Sequence, residues 1–365
     1  MKILHFLYRL NSGGAERFVV DLANCQAAAG HDVGVCMIRP DEGPAAFNRR
    51  FLDERVRFAS LGISSGITPA KMARVREFIL SEAPDVLHCH HNVVPYLFFL
   101  LLSGKRPVIV HTLHSEAERS TVNRLEKELC NWAYRHGVIC PVTISEVCRQ
   151  SFLSEFGMNA VCIPNGRETM VPSSRAGEAK AEVEQLKASS DTKVFIHVAR
   201  FHPVKNQGML VEAFNRLYND GKDVMLLVIG DGFKDGPGAE LAARACPCIH
   251  FLGEKSNVQD YLYAADAFCL SSFSEGMSIS LLEALCCGVT PVCTPVGGNI
   301  DVIQDGVTGY LSAGTTLETY LEALQRSLAN SLDRKKLQEH FRANYSIDAC
   351  AANYLTLYES LAHND

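Results

Sequence analysis

No apolar run in the 365-residue sequence approaches the roughly 20 residues needed to cross a bilayer. The longest, Val93–Leu102, is half that length and contains Pro95. It reads as a buried helix, so any membrane role is expected to be peripheral. The opening stretch Met1–Arg9 has too short an apolar core for a secretory signal and reads as a first buried strand. Fourteen cysteines are present, yet no CxxC pair occurs, and Cys246-Pro247-Cys248 and Cys286-Cys287 lack the spacing of a structural zinc site. With Cys25, Cys36, Cys269 and Cys293 in apolar runs, the expectation is reduced, core-filling thiols. A GxGxxG fingerprint is missing, and no acidic residue closes the second strand, which disfavours a dinucleotide-dependent dehydrogenase. There is no excess of positive charge either: the formal net charge is -6, which excludes a dedicated nucleic-acid binder.

What is present is ordinary globular material. Apolar residues make up 47% and charged residues 21%, with mean hydropathy +0.02, enough for two cores at about 150 residues per domain. The charge is split. Residues 1–170 carry 19 Lys/Arg against 17 Asp/Glu, and the remainder 16 against 24, so a mildly basic front precedes an acidic back.

Short apolar runs alternate with helical patterns throughout. Strands are expected at Ile3–Tyr8, Val33–Ile38, Val56–Leu61, Asp85–Cys89, Val108–Leu113, Val138–Ile144 and Ala160–Ile163, with helices clearest at Ala15–Ala29, Lys71–Glu82 and Thr121–His136. The second half repeats the rhythm at Val194–Ala199, Val224–Ile229, Ile249–Leu252, Ala267–Leu270 and Thr290–Cys293. Solidly apolar strands in βα alternation mean parallel sheets covered on both faces. The polar stretch Arg167–Ser190 contains no strand pattern and is expected to link two doubly wound domains. The expected division is 1–168, a linker at 169–190, a second domain at 191–345, and a terminal helix at 346–365 packing back on the first domain. In such folds ligands bind beyond the carboxyl ends of the strands.

Candidate chemistry lies at those ends. After the first strand come Gly13 and Gly14, then a helix. Adjacent glycines let backbone approach a ligand, and a helix N-terminus offers N–H groups to an anion; a tight turn alone is the plainer reading. Arg200 and Lys205 flank a proline-containing loop after the first strand of the second half, an arrangement suited to a diphosphate or to two solvated cations. Gly230 follows the next strand. Glu275 precedes a helix that carries Glu283 about two turns on, with Gly276, Met277, Ser278 and Ile279 between them. Such a loop offers N–H groups for phosphate and carboxylates for hydroxyls, although acidic residues are favoured in a first helical turn on any account.

Together these motifs resemble the retaining glycosyltransferases of the GT-B fold, family four, also called glycosyl transferases group one. The Gly-Gly loop, the Arg-x4-Lys pair, the Glu-x7-Glu motif with its following Ala-x-x-x-Gly-x-Pro-Val, Ile163-Pro164-Asn165-Gly166 and Gly297-Gly298 occur in the family's order over essentially the whole chain. The resemblance implies two Rossmann-like domains facing each other across a cleft, the N-terminal one for the acceptor and the C-terminal one for a nucleotide diphosphate sugar. It implies that Arg200 and Lys205 neutralise the leaving diphosphate in place of a metal, so that no metal or cofactor is required. Glu283 would hold the ribose, and Glu275 with the N–H groups of Met277–Ile279 would grip the sugar. Gly13, Gly14, Asn165, Gly230, Glu254 and Gly276 complete the donor-binding set. Among His88, His90, His91, His111 and His114, no carboxylate or cysteine spacing supports a zinc site. Thr112-Leu113-His114 matches the family's Thr-hydrophobic-His pattern, making His114 the expected contact to sugar and transition state, with His111 as the alternative. Two departures appear: Ser278 where proline is usual and Asn206 where glycine is common.

The implied reaction is sugar transfer with retention from a nucleotide sugar, a UDP-sugar first, to a glycan acceptor, expected to be lipid-linked as the basic front would suit, in bacterial-type surface polysaccharide or glycoconjugate synthesis. Arg49, Arg50, Arg55, Arg57, Lys71, Arg74, Arg76, Lys105 and Arg106 supply that basic character. The helix Thr121–His136 presents Leu125, Leu129 and Trp132 along one face with Arg124, Lys127 and Arg135 nearby, which fits either an anionic membrane surface or packing on its own core. The expected setting is cytoplasmic, with peripheral contact at the inner membrane face and no nucleic acid. A nucleotide-sugar epimerase, a phosphorylase-like enzyme, or a non-catalytic sugar-nucleotide binder on the same scaffold are the alternatives.

Overall fold

A computed structural model describes all residues except 12, 105, 116–123, 364 and 365, and the side chains of 44–46. Ser12, Lys105 and the first three residues of the helix expected from Thr121 therefore lie outside the described residues. The chain forms two compact units: Met1–Glu168 together with Tyr345–Asp365, and Thr169–Asn344.

The first unit is built on a parallel sheet of seven strands: β1 (Lys2–Leu7), β2 (Asp32–Met37), β3 (Arg57–Ser60), β4 (Val86–His90), β5 (Val108–Leu113), β6 (Cys140–Thr143) and β7 (Val161–Cys162). Their order is β3-β2-β1-β4-β5-β6-β7. The second unit repeats the scheme with β8 (Lys193–Val198), β9 (Val224–Ile229), β10 (Ile249–Gly253), β11 (Ala267–Leu270), β12 (Thr290–Cys293) and β13 (Tyr310–Leu311), ordered β10-β9-β8-β11-β12-β13. In each sheet the first strand sits between the second and the fourth. The winding direction reverses there, and a crevice opens beyond the carboxyl end of that strand.

The central strands read as apolar runs because both faces are covered. Strands β4 and β9 are buried throughout. Against that pattern, His5, His88, His90, His111 and His197 stand in strands and are buried; only partners supplied by the fold make this tolerable.

Two expectations are corrected, and one strand has no counterpart among those expected. The stretch 169–190 is part of the second unit rather than a linker. It holds the helix Ala176–Leu186 with Ala179 and Val183 buried, Ser173 N–H donates to Asp260 at 2.7 Å, and Lys255 pairs with Glu182 at 3.0 Å. The run Val93–Leu102 is not one buried helix. A short 3-10 turn, Val94–Leu97, passes into a single α-turn, Phe98–Leu101, and Leu102 is 62% exposed. Strand β13, two residues long, carries no pattern a reader could find.

The terminal helix Ile347–Ala362 belongs to the first unit, with Tyr354 and Tyr358 fully buried. Gly166 is where the chain and this helix meet: a Cβ there would come within 2.7 Å of Cys350 Cβ and Ser346 O.

Candidate active site

In the second unit, β8 ends and the chain turns through Arg200, His202 and a 3-10 turn Pro203–Lys205 capped by the His202 ring, which accepts from Val204 N–H at 3.2 Å. Asn206 then adopts φ +50° and starts the helix Gln207–Asn219. This left-handed conformation explains the Asn206 departure, since asparagine is among the few side-chain-bearing residues that adopt it readily. Gln207, buried, donates from Nε2 to Arg200 O at 2.9 Å. Arg200 itself is exposed.

The loop after β11 closes on this turn. Ser271 Oγ donates to Lys205 O at 3.0 Å, and Phe273 N–H donates to Val204 O at 2.8 Å. Lys205 Nζ lies 2.7 Å from Glu275 Oε1, and Ser272 Oγ donates to the same oxygen at 2.5 Å. The fold thus brings together Lys205 and Glu275, 70 residues apart, and Glu275 is only 9% exposed. The Lys205 ammonium is half-buried and held in place by a carboxylate that is itself fixed by a hydroxyl.

Ser278 caps the helix Ile279–Cys286, its Oγ accepting from Leu281 N–H at 3.4 Å. The usual proline is thereby replaced by a residue preferred at the N-cap. The first-turn N–H groups have no partner within the helix. Glu283 is half-buried on that helix, whose buried residues include Ile279, Leu281, Leu282 and Leu285.

Gly297 and Gly298 back the loop. Gly298 N–H donates to Gly276 O at 2.9 Å. Gly297 has φ +50°, and a Cβ there would stand 1.6 Å from Glu275 O. Gly297→Ala is therefore expected to displace Glu275 and cost about 2–4 kcal/mol, lowering Tm by roughly 5–10 °C in a calorimetric scan. A variant as stable as the parent would show that the loop can back away. Gly230, at φ +148°, packs under Arg200: its Cβ would lie 2.1 Å from Ala199 O. Its position is accounted for by this close approach. Glu254 is exposed just beyond β10, at the sheet edge.

In the first unit, Gly13 caps the helix Gly14–Ala28, and Asn48 Nδ2 donates to Asn11 O at 2.5 Å, holding the loop. The Glu16 carboxylate folds over Gly13, so that a Cβ there would meet Glu16 Oε2 at 1.9 Å. A side-chain anion already occupies this helix N-terminus, as the dipole favours. Asn165 is buried, and its Oδ1 has no hydrogen-bond partner among the described residues.

The histidines separate by face. His111 spends both nitrogens: Nδ1 on Tyr134 Oη at 2.7 Å and Nε2 on His91 O at 2.8 Å. On the other face, His5 Nε2 meets Gln26 Oε1 at 2.8 Å, His5 Nδ1 meets His90 Nε2 at 3.1 Å, and His90 Nδ1 meets His114 Nε2 at 3.1 Å. His88 bonds to Thr112 Oγ1 and Tyr358 Oη, both at 2.7 Å. One nitrogen from each of His5, His88 and His90 falls within 4.8 Å of the others, which is a metal-like grouping by distance. All six of their ring nitrogens, however, already face a hydrogen-bonding partner, and no carboxylate or thiolate joins them. The donor set is that of a hydrogen-bond network rather than a ligation sphere. Burial pushes the His5 and His111 imidazoles down to about 4 and those of His88, His90 and His114 well below the usual histidine range. His5, Gln26, Ser272, Tyr354 and Tyr358 were not singled out from the sequence. The i,i+2 pair His88/His90 in a strand and the i,i+4 pair Tyr354/Tyr358 in a helix were the available signals.

Comparison with known proteins fits this geometry. The Glycosyltransferase Family 4 model matches residues 12–170, and the Glycosyl transferases group 1 model matches 178–344. The chain is 29% identical over 317 residues to N-acetyl-alpha-D-glucosaminyl L-malate synthase of Bacillus anthracis, covering 81% of this chain and 79% of that protein. It is 24% identical over 369 residues to the phosphatidyl-myo-inositol mannosyltransferase of Mycobacterium tuberculosis, covering 96% and 94%. Among solved structures, Anabaena HepE in complex with UDP superposes with a TM-score of 0.79 at 18% identity over 99% of this chain and 100% of that one. Both halves of the chain, and the motifs they carry, belong to one enzyme class: the protein is a GT-B glycosyltransferase of family four.

Proposed function

We propose that this glycosyltransferase moves a sugar from a nucleotide diphosphate sugar, a UDP-sugar first, to a glycan acceptor on a lipid carrier, with retention and without a metal. The observation that carries the reading is the fixed Lys205–Glu275 pair beside the capped N-terminus of the helix Ile279–Cys286. A cation held by a carboxylate, next to a helix N-terminus, suits a diphosphate whose charge grows as it leaves. Arg200, exposed on the same loop, adds the second cation.

In the proposed step the bond from the anomeric carbon to the donor phosphate oxygen breaks, and the acceptor oxygen bonds to that carbon on the same face. The acceptor proton passes to the departing phosphate oxygen. Lys205 and Arg200 lower the energy of the diphosphate as it gains charge, Glu275 accepts hydrogen bonds from sugar hydroxyls, and Glu283 takes the ribose hydroxyls. His114 lines the sugar site.

The lipid-linked acceptor rests on the first unit. On the helix Arg124–Arg135 the buried side chains are Glu126, Cys130, Ala133 and Tyr134, whereas Leu125 is 83% exposed and Trp132 is also exposed. Of the apolar face read from the sequence, Leu125 and Trp132 point outward, as a membrane-contacting helix requires, while Leu129 packs against the core. Several cations of the basic front are neutralised internally, Arg49 by Asp41, Arg55 by Asp53, and Arg57 by Asp32 and Glu82, so exposed apolar side chains contribute more than charge. No described helix is long and apolar enough to cross a membrane.

A thermal-shift panel of nucleotide sugars, followed by mass detection of transfer to polyprenyl-linked acceptors, tests the reading. A UDP-sugar at 100 times its Kd stabilises by about 2.7 kcal/mol. If no nucleotide sugar raises Tm and no acceptor gains a sugar, the proposal fails.

A further inference from the structure

The central strands of the first unit lie in the order β1-β4-β5, with His5 opposite His88 and His90 opposite Thr112. Side chains two apart in a strand share a face, so His5, His88, His90, Thr112 and the following His114 all project to one side. There the buried Gln26 of the helix Gly14–Ala28 meets them.

We infer that His90 and His5, anchored by Gln26, are positioning residues that hold His114 in one tautomer, with the proton on Nε2 and a bare lone pair on Nδ1. This deepens the proposed function: it rests on the reading that His114 lines the sugar site, and it states what His114 demands of the ligand there.

Each proton along this line of contacts is fixed by the partner before it. Gln26 turns its carbonyl oxygen to His5 Nε2 at 2.8 Å. A carbonyl only accepts, so His5 carries its hydrogen on Nε2. A neutral imidazole has one N–H, which leaves His5 Nδ1 as an acceptor. Its partner, His90 Nε2 at 3.1 Å, must therefore donate, and His90 Nδ1 is bare. His114 Nε2, 3.1 Å from that nitrogen, donates in turn. His114 Nδ1 is then left as a lone pair, and that atom is buried with no hydrogen-bond partner among the described residues. The rings stay neutral because burial opposes charge on each and a proton on one would repel its neighbours.

A buried acceptor without a donor is costly, and a ligand that supplies one recovers that cost. His114 thus selects a group that donates, such as a sugar hydroxyl, and rejects an ether, a carboxylate or a phosphate oxygen at the same place. The second line, Tyr358–His88–Thr112–Tyr354, runs alongside and buttresses the face without touching His114.

The test is a long-range ¹H–¹⁵N spectrum of the full-length free protein labelled at histidine, with the amide spectrum as the check on fold. In the parent, His114 is expected to show a protonated Nε2 and a bare Nδ1 with no population of the other tautomer. In His90→Phe the exclusive tautomer is expected to give way to a mixture. In His90→Gln, whose amide donates to His5 and whose carbonyl accepts from His114, it is expected to persist. A protonated Nδ1 in the parent overturns the inference, as does an unchanged His114 in a folded His90→Phe. Should His90→Phe not fold, Gln26→Leu, which removes the anchor, is expected to give the same mixture, and an exclusive tautomer there is equally fatal. Because no substrate is present, the spectrum reports the relay whether or not sugar transfer is found. Absent transfer with the tautomer as stated counts against the proposed function alone.

Discussion

Lys205→Ala is expected to lower the rate of sugar transfer by about two to three orders of magnitude, the usual loss when one preorganised electrostatic contact to a charged transition state is removed. The size follows from how the ammonium is held. Lys205 Nζ is fixed by Glu275 at 2.7 Å, Glu275 by Ser272 at 2.5 Å, and the backbone of the turn by Ser271 and Phe273. A cation already in position needs no reorganisation as charge develops on the leaving diphosphate, so its loss falls on kcat more than on donor KM. The same variant leaves the 9%-exposed Glu275 carboxylate unpaired, a destabilising state for a buried charge. Activity is therefore compared well below the transition temperature, and Lys205→Ala/Glu275→Gln serves as the control in which neither charge remains. Lys205→Arg should rescue poorly, because a planar fork does not fit the place of a compact ammonium. Transfer within threefold of the parent in Lys205→Ala would remove Lys205 from the mechanism.

Acidification to pH 5.5 is expected to strip at least about 5 kcal/mol from the first unit and far less from the second. The fully buried histidines of the first unit include His5, His88, His90 and His111; in the second, His197 is the buried one. Each has its folded-state value depressed by desolvation, His5, His111 and His197 to about 4 and His88 and His90 well below the usual histidine range. The unfolded chain binds these protons near pH 6.5, the folded unit only well below that. Stability is then complete above about 6.5 and falls as the pH drops toward 4, by about 1.4 kcal/mol per histidine at pH 5.5. A loss of that size is comparable with the whole stability of many domains. Trp132, the protein's one tryptophan, lies in the first unit, so its fluorescence in urea reports that unit directly. The midpoint should move down by about 2 M between pH 7 and 5.5, while amide exchange in β8 and β9 changes little. Equal losses in both units would contradict the assignment.

The βα alternation and most strand limits were legible because apolar runs and their breaks are local. Strands β5, β9, β11 and β12 match their expected bounds, Val108–Leu113, Val224–Ile229, Ala267–Leu270 and Thr290–Cys293. The polar stretch after Glu168 misled for the same reason. A solvated helix with only Ala179 and Val183 buried looks like a linker until the second unit supplies Asp260 and Lys255 to bond it. On the candidate site, the spacing of Arg200 and Lys205 and of Glu275 and Glu283 marked two segments that the fold brings together. Nothing in that spacing showed that Lys205 and Glu275 pair, because the contact depends on β8 and β11 being neighbours in the sheet. Ser278 and Asn206 appeared as departures and proved to be an N-cap and a left-handed turn, each doing the job of the residue it replaces.

The sequence by itself determined two parallel α/β units and the family whose motifs their loops bear, since these are written in local periodicity and spacing. Only the tertiary structure decided that His114 Nδ1, like His91 Nε2, is buried without a hydrogen-bond partner among the described residues. His5, Gln26, His90 and His114 come from two helix-flanked strands, a helix and a loop, and strand order alone brings them within 3.1 Å of one another in turn. In a buried line of neutral rings each proton is dictated by the ring before it, so the state of the last depends on contacts 85 and 24 residues away in the chain, a distance over which no local pattern carries information.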